Sequence, residues 1–150
     1  MTVDMAYLVR FASSAEDLDA LYELRRQVFE VEQNIPRPLD RDPYDFNADH
    51  VVAWDEKGRC VGTGRIVRLD ARTAQVGRMA VPADQRERGI GAMVLEALER
   101  MAAMRGLSDL IVHSQLPAER FYRNRGYVRE GEPFLDQGVP HVLMRKLLNV

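Results

Sequence analysis

The sequence predicts an α/β (α+β) fold in which helices cover a mixed central β-sheet of about six to seven strands. Three β-like runs follow one another in the first half of the chain, and the second half alternates strand-like with helix-like segments. Strands in hairpin order, followed by strands joined through helices, are typical of such a sheet. No linker long enough to divide the chain interrupts this order, so we expect one domain over residues 1–150, flanked by about four helices.

Apolar and β-branched runs bounded by turn residues predict the strands. They cover residues 7–11, 50–54, 60–69, 74–81, 110–114, 126–130 and 141–148. Residues 34–50 contain three prolines and four aspartates and have little periodicity. This segment is therefore expected to form an extended loop.

Three segments have the residue spacing of helices. Ser13 and Glu16 have the spacing of a capping box before a helix that extends to about residue 33. Residues 91–104 form a second helix, and Gly106 is a natural stop for it. A short helix over 117–125 comes third. The apolar stripe of the second helix consists of Ile90, Val94, Ala97, Leu98 and Met101.

The composition excludes several classes of function. With 21 basic and 23 acidic residues the net charge is −2, which gives no general attraction to nucleic acid or to an anionic membrane. Cys60 is the single cysteine and the N-terminal residues lack an apolar signal core, so a reducing cytoplasm is expected. No stretch approaches the roughly 18 apolar residues of a membrane span. One cysteine and three histidines without tight spacing predict no metal site.

The segment RERGIG, residues 86–91, places two arginines and two glycines at the start of the second helix. The first amides of a helix have no acceptor within it, and the macrodipole adds about half a positive charge there. Gly89 and Gly91 let a ligand approach the backbone, and Arg86 and Arg88 add charge suited to phosphate oxygens. The pattern favours a pyrophosphate site. The alternative is a solvated loop that uses glycine only for its turn.

Two other phosphate-binding motifs fit this segment less well. A P-loop requires Gly-Lys-Ser/Thr, and no lysine follows Gly89 or Gly91. A dinucleotide fingerprint requires a third glycine, and Val94 stands at that position.

Two motifs carry a resemblance to a known family. VGRMAVPADQRERGIGAMVLEALERMA resembles the central motif of the GCN5-related N-acetyltransferases, in which R/Q-x-x-G-x-G/A enters a helix after a strand and a short loop. QLPAERFYRNRGYV resembles their second signature, N-x-x-A-x-x-F-Y-x-x-x-G-F/Y, with Gln115 where asparagine is usual. The resemblance covers most of residues 50–147. RRQVFEVEQ also looks like the N-terminal helix of a bacterial branch of the superfamily, with a VFxVEQ pattern.

The resemblance implies a binding site for acetyl-CoA as cosubstrate, without a metal. In this family a strand bends at a bulge and splays from its neighbour, so that free backbone groups line the pantetheine chain. Here those contacts fall on Met79, Ala80 and Val81. The pyrophosphate is expected on Arg86, Glu87, Arg88, Gly89, Ile90, Gly91 and Ala92. The second motif adds Gln115, Ala118, Phe121 and Tyr122 as cofactor contacts.

The implied activity is direct transfer of an acetyl group to a primary amine in a ternary complex. A backbone N–H near Val81 is expected to stabilise the carbonyl oxygen. Tyr122 matches the thiol-facing tyrosine of the family and is expected to donate a hydrogen bond to the departing thiolate. Glu32 and His113 are the candidate general bases, and bulk water acting with an already neutral amine is the third alternative.

The expected partner is an amine acceptor, either a small molecule or a peptide. The loop at 34–50 has four aspartates, Asp40, Asp42, Asp45 and Asp49, against Arg37 and Arg41. An acidic excess of this kind favours a cationic acceptor, and the alternative is a solvated acidic loop. No nucleic-acid or membrane partner is expected, and the sequence leaves a homodimer open. Two other functions stay open, a non-catalytic acyl-CoA-binding module and a plain interaction domain.

Overall fold

An eight-stranded mixed sheet forms the centre of the computed structural model, which describes residues 2–3, 6–35 and 41–149. The strands are β1 (Thr2–Val3), β2 (Tyr7–Phe11), β3 (Asp49–Asp55), β4 (Cys60–Arg68), β5 (Thr73–Ala80), β6 (Asp109–Gln115), β7 (Val128–Asp136) and β8 (Val139–Leu147). Their spatial order is β1-β2-β3-β4-β5-β6-β8-β7. Only β5 and β6 run parallel among these neighbours. The seven predicted strands are confirmed, and the two-residue β1 is an addition.

Three α-helices cover this sheet in the described ranges, α1 (Ala15–Arg25), α2 (Ile90–Met104) and α3 (Glu119–Arg123). α1 continues directly into a π-helical segment, Arg26–Glu32. The predicted number of about four helices is reached only when this segment is counted separately. Within the same ranges, no helix is long and apolar enough to cross a membrane.

α1 begins one residue later than predicted. Ser14, not Ser13, is the N-cap, and its Oγ accepts a hydrogen bond from the Asp17 amide at 3.0 Å. The Asp17 carboxylate accepts in turn from the amide of Ser13, the residue before the N-cap, at 3.2 Å. The same carboxylate accepts from Arg10 at 2.7 Å and from Trp54 at 3.2 Å, which ties the start of α1 to β2 and β3.

α2 packs the predicted stripe against one face of the sheet, and all five stripe residues are buried. Gly106, at a φ of +75°, ends the helix as predicted. Its amide donates to the Ala103 carbonyl, and the Leu107 amide donates to the Ala102 carbonyl, as in a Schellman motif.

β5 and β6 pair over only four residues each, from Thr73 to Val76 and from Asp109 to Val112. Beyond them β5 contains a bulge, because its residues 77–80 stand opposite only three residues of β4, 63–65. Arg78 lies in this bulge with a φ of +52°. The predicted bulge and splayed strand pair are therefore confirmed, and a gap separates the ends of the two strands.

A cluster of buried ions holds the loop after residue 41 against this bulge. Asp45 accepts hydrogen bonds from Arg25 at 2.9 Å and from Arg65 at 2.7 Å. Asp42 accepts from Arg65 at 2.7 and 2.9 Å and from Arg78 at 2.9 Å. We call these five residues the Arg–Asp cluster. The described end of the predicted extended loop is thus a 3₁₀ turn, Pro43–Phe46, locked onto the sheet.

The Arg–Asp cluster favours ionised carboxylates. Burial alone raises the pKa of Asp45, but the charge and hydrogen bonds of Arg25 and the other donors outweigh it and lower the pKa overall. The pKa of Asp42 is lowered in the same way, mainly by Arg65 against burial. His50, whose Nδ1 accepts from Arg25 at 3.1 Å, has a pKa that burial lowers.

We expect Asp45→Ala to lower the free energy of unfolding by about 3–5 kcal/mol, since it leaves Arg25 and Arg65 buried without this partner. Asp19→Ala, on the exposed side of α1, is the matched control and should stay within about 0.5 kcal/mol of the wild type. Urea denaturation of both variants makes the comparison. Equal stabilities would show that the cluster does not hold the fold.

Stability should also fall in acid. The pKa values of Asp42, Asp45 and His50 are lower in the folded state, so the stability they contribute is lost as the pH falls. The loss should begin below about pH 6.5 through His50 and steepen below about pH 4 through the aspartates. Urea midpoints measured between pH 3 and pH 8 test this expectation, and a constant midpoint across that range would contradict it.

Candidate functional site

The gap between β5 and β6 opens into a cavity of about 630 Å³. Its walls come from the end of the π-helical segment, the bulge of β5, the start of α2, the end of β6, α3 and the β7–β8 turn. This volume lies within the range of about 300–1,000 Å³ that small-molecule sites have. The cavity therefore joins the two predicted motifs in one site.

The start of α2 presents free amides to the cavity. Gly89 is the N-cap at a φ of +81°, no side chain caps the helix, and Glu87 also has a positive φ of +65°. Met93 makes the first bond within the helix, to the Gly89 carbonyl, so the amides of residues 90–92 have no acceptor inside α2. Residues 89–92 all line the cavity. Backbone of this shape forms a concavity that binds anions.

Arg86 stands beside these amides and links three parts of the site. Its Nε donates to the Val81 carbonyl at 2.9 Å, and its two terminal nitrogens donate to Glu32 at 2.5 and 2.7 Å. Glu32 is the last residue of the π-helical segment. The hydrogen bonds from Arg86 lower the pKa of Glu32, and Glu32 does not line the cavity. This predicted base is therefore an ionised carboxylate committed to Arg86.

A second bridge reaches from the same segment to the end of β6. Gln33 and Gln115 exchange two side-chain hydrogen bonds, at 3.0 and 3.3 Å. Gln115 lines the cavity where the second motif placed it, but its amide is paired with Gln33. Gln33 ends the VFxVEQ pattern, but that pattern predicted no contact for it.

α3 buries Tyr122 at the cavity wall. Its ring makes edge contacts with Phe121 at 5.0 Å and with Tyr127 at 5.6 Å between centroids. The Tyr127 hydroxyl donates to Glu99 at 2.8 Å, whereas no described residue hydrogen-bonds the Tyr122 hydroxyl. Burial raises the pKa of Tyr122 well above its ordinary value. Tyr122 is therefore a protonated hydrogen-bond donor at neutral pH.

The bulge decides which side chains of β5 face which side of the sheet. Val76 belongs to the core under α2, and Met79, three residues later, also packs against that core. Ala80 instead packs with Leu24 and Phe29 on the α1 side. Regular alternation would place Val76 and Met79 on opposite faces. The extra residue reverses the alternation at the point where the strands separate.

The α1 side of the gap has a set of ring side chains. β6 and β8 bury Val112 and Met144 in the α2 core, so His113 and His141 lie on the other face. Phe134 of β7 contacts both rings. The distance between ring centroids is 5.2 Å to His113 and 6.1 Å to His141. Tyr122 thus approaches the gap from one face of the sheet and the histidines from the other.

Both histidines and Asp136 line the cavity. Burial lowers the pKa of His113, although Asp136 acts in the opposite direction. The predicted candidate His113 is therefore in the site. His141 and Asp136 were missed, because only the pairing of β7 and β8 brings them beside β6.

The structure brings the predicted cofactor residues together with one exception. Arg88 is exposed outside the cavity. The thirteen others line it: Met79, Ala80, Val81, Arg86, Glu87, Gly89, Ile90, Gly91, Ala92, Gln115, Ala118, Phe121 and Tyr122. Arg125, which no motif indicated, also lines the cavity, and its guanidinium lies 4.3 Å from the Phe121 ring centroid.

The acidic loop does not present its described carboxylates to an acceptor. Asp42 and Asp45 belong to the Arg–Asp cluster, and Asp49 pairs with Arg105 at 2.8 Å. Asp40 and Arg37 lie outside the described residues. The charge that the sequence assigned to acceptor attraction is therefore largely neutralised by arginines.

The sequence is similar to known proteins over most of its length. Residues 16–148 match the family model of the Acetyltransferase (GNAT) domain. The chain is similar to the "Uncharacterized N-acetyltransferase YjcF" of Bacillus subtilis, with 35% identity over 136 residues, 90% of this chain and 96% of that protein.

Two solved structures share the fold. A Lactobacillus plantarum protein superposes with a TM-score of 0.87 at 29% identity, over 95% of this chain and 99% of that one. A GNAT family acetyltransferase from Elizabethkingia anophelis with acetyl-CoA bound superposes with a TM-score of 0.69 at 15% identity, over 97% and 100%. The match to the family model over most of the chain, together with these similarities, shows that the chain belongs to the GNAT acetyltransferase family.

Proposed function

We propose that the protein is an N-acetyltransferase that transfers an acetyl group from acetyl-CoA to a primary amine by direct attack in a ternary complex. One observation carries this proposal. The gap between β5 and β6 joins the free amides of α2, the unpaired end of β5 and the Tyr122 hydroxyl in a single cavity. Bound acetyl-CoA supplies a thioester whose carbonyl carbon accepts the amine.

The residues of the cavity fit the parts of this cosubstrate. The amides of residues 90–92 and the Arg86 guanidinium suit a pyrophosphate, once Arg86 turns from Glu32 or shares its donors. Backbone groups of Met79, Ala80 and Val81, beyond the last β5–β6 pair, suit the amides of a pantetheine chain. Acetyl-CoA bound to the Elizabethkingia protein supports this assignment through the fold alone.

The chain supplies two groups to the transfer itself. A backbone N–H near Val81 would polarise the acetyl carbonyl, and one such donor is worth about 3 kcal/mol in other enzymes. The Tyr122 hydroxyl would donate a hydrogen bond to the departing sulfur. Burial raises the pKa of Tyr122, so the main role that we assign to its hydroxyl is hydrogen-bond donation. Complete proton transfer to the sulfur is its secondary role.

The acceptor is a primary amine on a small molecule or a peptide. A preference for cationic amines stays part of the proposal, but it now depends on Asp136 rather than on the loop at 34–50. Asp136 lines the cavity and, in the described part of the chain, has no ion-pair partner within 4 Å. A carboxylate in this position can attract an ammonium group.

Two narrower assignments belong to the same proposal. The VFxVEQ pattern supports a place in the bacterial branch of the family, and Val28 and Phe29 of this pattern line the cavity. An enzyme that consumes acetyl-CoA works where that compound is held, which supports the cytoplasmic location. The proposal includes no nucleic-acid or membrane partner, and it leaves a homodimer open.

The second candidate is a non-catalytic acyl-CoA-binding module. The Tyr122 hydroxyl favours catalysis, because a pure binding site does not need a free donor at the cavity wall. Release of free CoA from acetyl-CoA across a panel of diamines, amino acids and lysine peptides separates the two. Tight binding of acetyl-CoA without CoA release for any amine would favour the binding module.

Gly91→Asp should abolish detectable CoA binding in a folded protein. A Cβ added at position 91 lies on the cavity wall, 3.4 Å from the Phe121 ring. The carboxylate of the new aspartate would meet the pyrophosphate at the amides. Gly91→Ala is the matched control, because the Cβ alone makes only van der Waals contact. Calorimetric titration with CoA compares both with the wild type. Unchanged affinity in folded Gly91→Asp would remove the proposed phosphate site.

Tyr122→Phe should lower kcat about 10- to 1,000-fold and leave acetyl-CoA binding nearly unchanged, because the hydroxyl acts mainly as the thiolate forms. Tyr44→Phe, which removes an exposed hydroxyl, should keep wild-type kinetics. Steady-state kinetics with the best amine of the panel test both variants. Wild-type turnover in Tyr122→Phe would assign assistance of the leaving group to another residue.

A further inference from the structure

The proposed activity needs a general base, a group that takes the proton of the attacking amine. The positions of the titratable side chains reduce the number of candidates for this base. Glu32 is outside the cavity lining and bound to Arg86, whereas His113 and His141 face the gap from the α1 side. We propose, on the basis of the proposed function, that the general base is His141, with its Nε2 as the accepting atom.

One hydrogen bond fixes the ring of His141. Its Nδ1 lies 2.7 Å from the Val139 carbonyl oxygen, at the start of β8. A carbonyl can only accept, so Nδ1 must carry the hydrogen. In the neutral ring the lone pair is then on Nε2, and no described residue bonds to that nitrogen. The backbone therefore selects the tautomer that a base acting through Nε2 requires.

The sheet places this ring beside the proposed path of the acceptor. His141 stands opposite Gln115 in the β6–β8 ladder and opposite Phe134 in the β7–β8 ladder. The residue is 9% exposed and lines the cavity. Tyr122 lines the same cavity from the α2 face. The proton acceptor and the donor to sulfur thus lie on opposite sides of the gap.

His113 is the rival base, and the structure distinguishes the two. The residue is more exposed than His141, and no hydrogen bond from a described residue fixes either of its ring nitrogens. A positive charge on His141 lowers the pKa of His113. Phe134 separates them as a neutral contact.

The other charged or titratable groups of the cavity set the field around His141. They are Arg78, Arg86, Glu87, Tyr122, Arg125 and Asp136, in addition to His113. Asp136 is the carboxylate of the same hairpin that lines the cavity, and it favours a cation there. An ammonium group that enters there meets a carboxylate to attract it and an imidazole to deprotonate it.

The step is balanced without any further reactant. An N–H bond of the ammonium group breaks and His141 Nε2 gains the proton. The neutral nitrogen then forms a bond to the acetyl carbon as the carbon–sulfur bond breaks, and the amide nitrogen loses its second proton to water. The sulfur receives a proton from water or through Tyr122, and the imidazolium of His141 returns its proton to solvent.

Nitrogen NMR tests the tautomer without any cosubstrate. Long-range proton–nitrogen correlation spectra of uniformly ¹⁵N-labelled protein distinguish Nδ1–H from Nε2–H rings, and His→Asn variants at positions 50, 113 and 141 assign the signals. We expect the Nδ1–H form for neutral His141. The Nε2–H form would overturn the proposal, whatever the enzyme's activity.

Kinetics tests the base directly. His141→Asn keeps an N–H donor near the Nδ1 position and removes Nε2, so the bond to the Val139 carbonyl can persist. We expect kcat/KM for the amine to fall about 100- to 10,000-fold at pH 7.5, as for other general bases. The plateau that the base produces above the acidic limb of the pH profile should disappear, so that the rate keeps rising with pH up to about pH 9 as more of the amine becomes neutral. The KM for acetyl-CoA should change less than threefold.

His113→Gln is the comparison variant and should keep the plateau. Loss of the plateau in His113→Gln, or its survival in His141→Asn, would overturn the assignment. If the wild type acetylates no amine of the panel, the proposed acetyltransferase function fails instead, and the NMR tautomer alone decides for or against His141. Thermal denaturation of each variant identifies any loss of rate that comes from unfolding.

Discussion

The rest of the site depends on the point where β5 and β6 stop pairing. The two parallel strands are joined through Val76 and Val112, and beyond these residues each continues alone. A parallel pair in the middle of a sheet normally leaves no space for a ligand, because its backbone groups bond to each other. Ending the pair early leaves backbone groups free to bind a chain of amides and opens a passage through the sheet.

The bulge that separates the strands gives Arg78 a strained backbone conformation. The Arg–Asp cluster holds that conformation in place. Arg78 has a positive φ, which costs on the order of 1–3 kcal/mol in a residue with a side chain. Its guanidinium is fixed by Asp42, which also binds Arg65 from the neighbouring strand β4. The buried ions therefore have a positional role, since an apolar cluster of equal volume would not fix the direction of Arg78. Asp42 and Asp45 bind these arginines, so their carboxylates are not free to bind a substrate.

The local parts of this structure could be predicted from the sequence. The start of α2 depends on Arg86, Gly89 and the next two residues, so the proposed anion site lies within one short segment. The α2 stripe and the Gly106 stop also follow from neighbours along the chain. The cap of α1 was placed one residue early, because Ser13 and Ser14 both have an acidic residue three positions later.

The parts that the sequence did not indicate depend on contacts between distant segments. Asp45 is 20 residues from Arg25 and 20 from Arg65, so its charge looked free for an acceptor. Glu32 looked like a free base because Arg86, its partner, is 54 residues away. His141 comes to line the cavity only because β8 lies between β6 and β7. Pairing partners at such separations leave no periodic signal, and a one-residue change of register would turn His141 to the other face.

The π-helical segment connects these local and distant features. Its wider winding is marked by the Gln33 amide, which donates to the Val28 carbonyl five residues earlier. Two consecutive residues at its end then reach different elements, Glu32 to Arg86 after β5 and Gln33 to Gln115 at the end of β6. These two bridges connect the separated strands on the side where the sheet no longer does. Because Arg86 belongs to the proposed phosphate site and Gln115 stands opposite His141 in the ladder, the same segment contacts the proposed cosubstrate end and the proposed acceptor end of one cavity. A ligand that displaces Glu32 from Arg86 would therefore act on the segment that also carries Gln33, which gives the two ends of the site a physical connection.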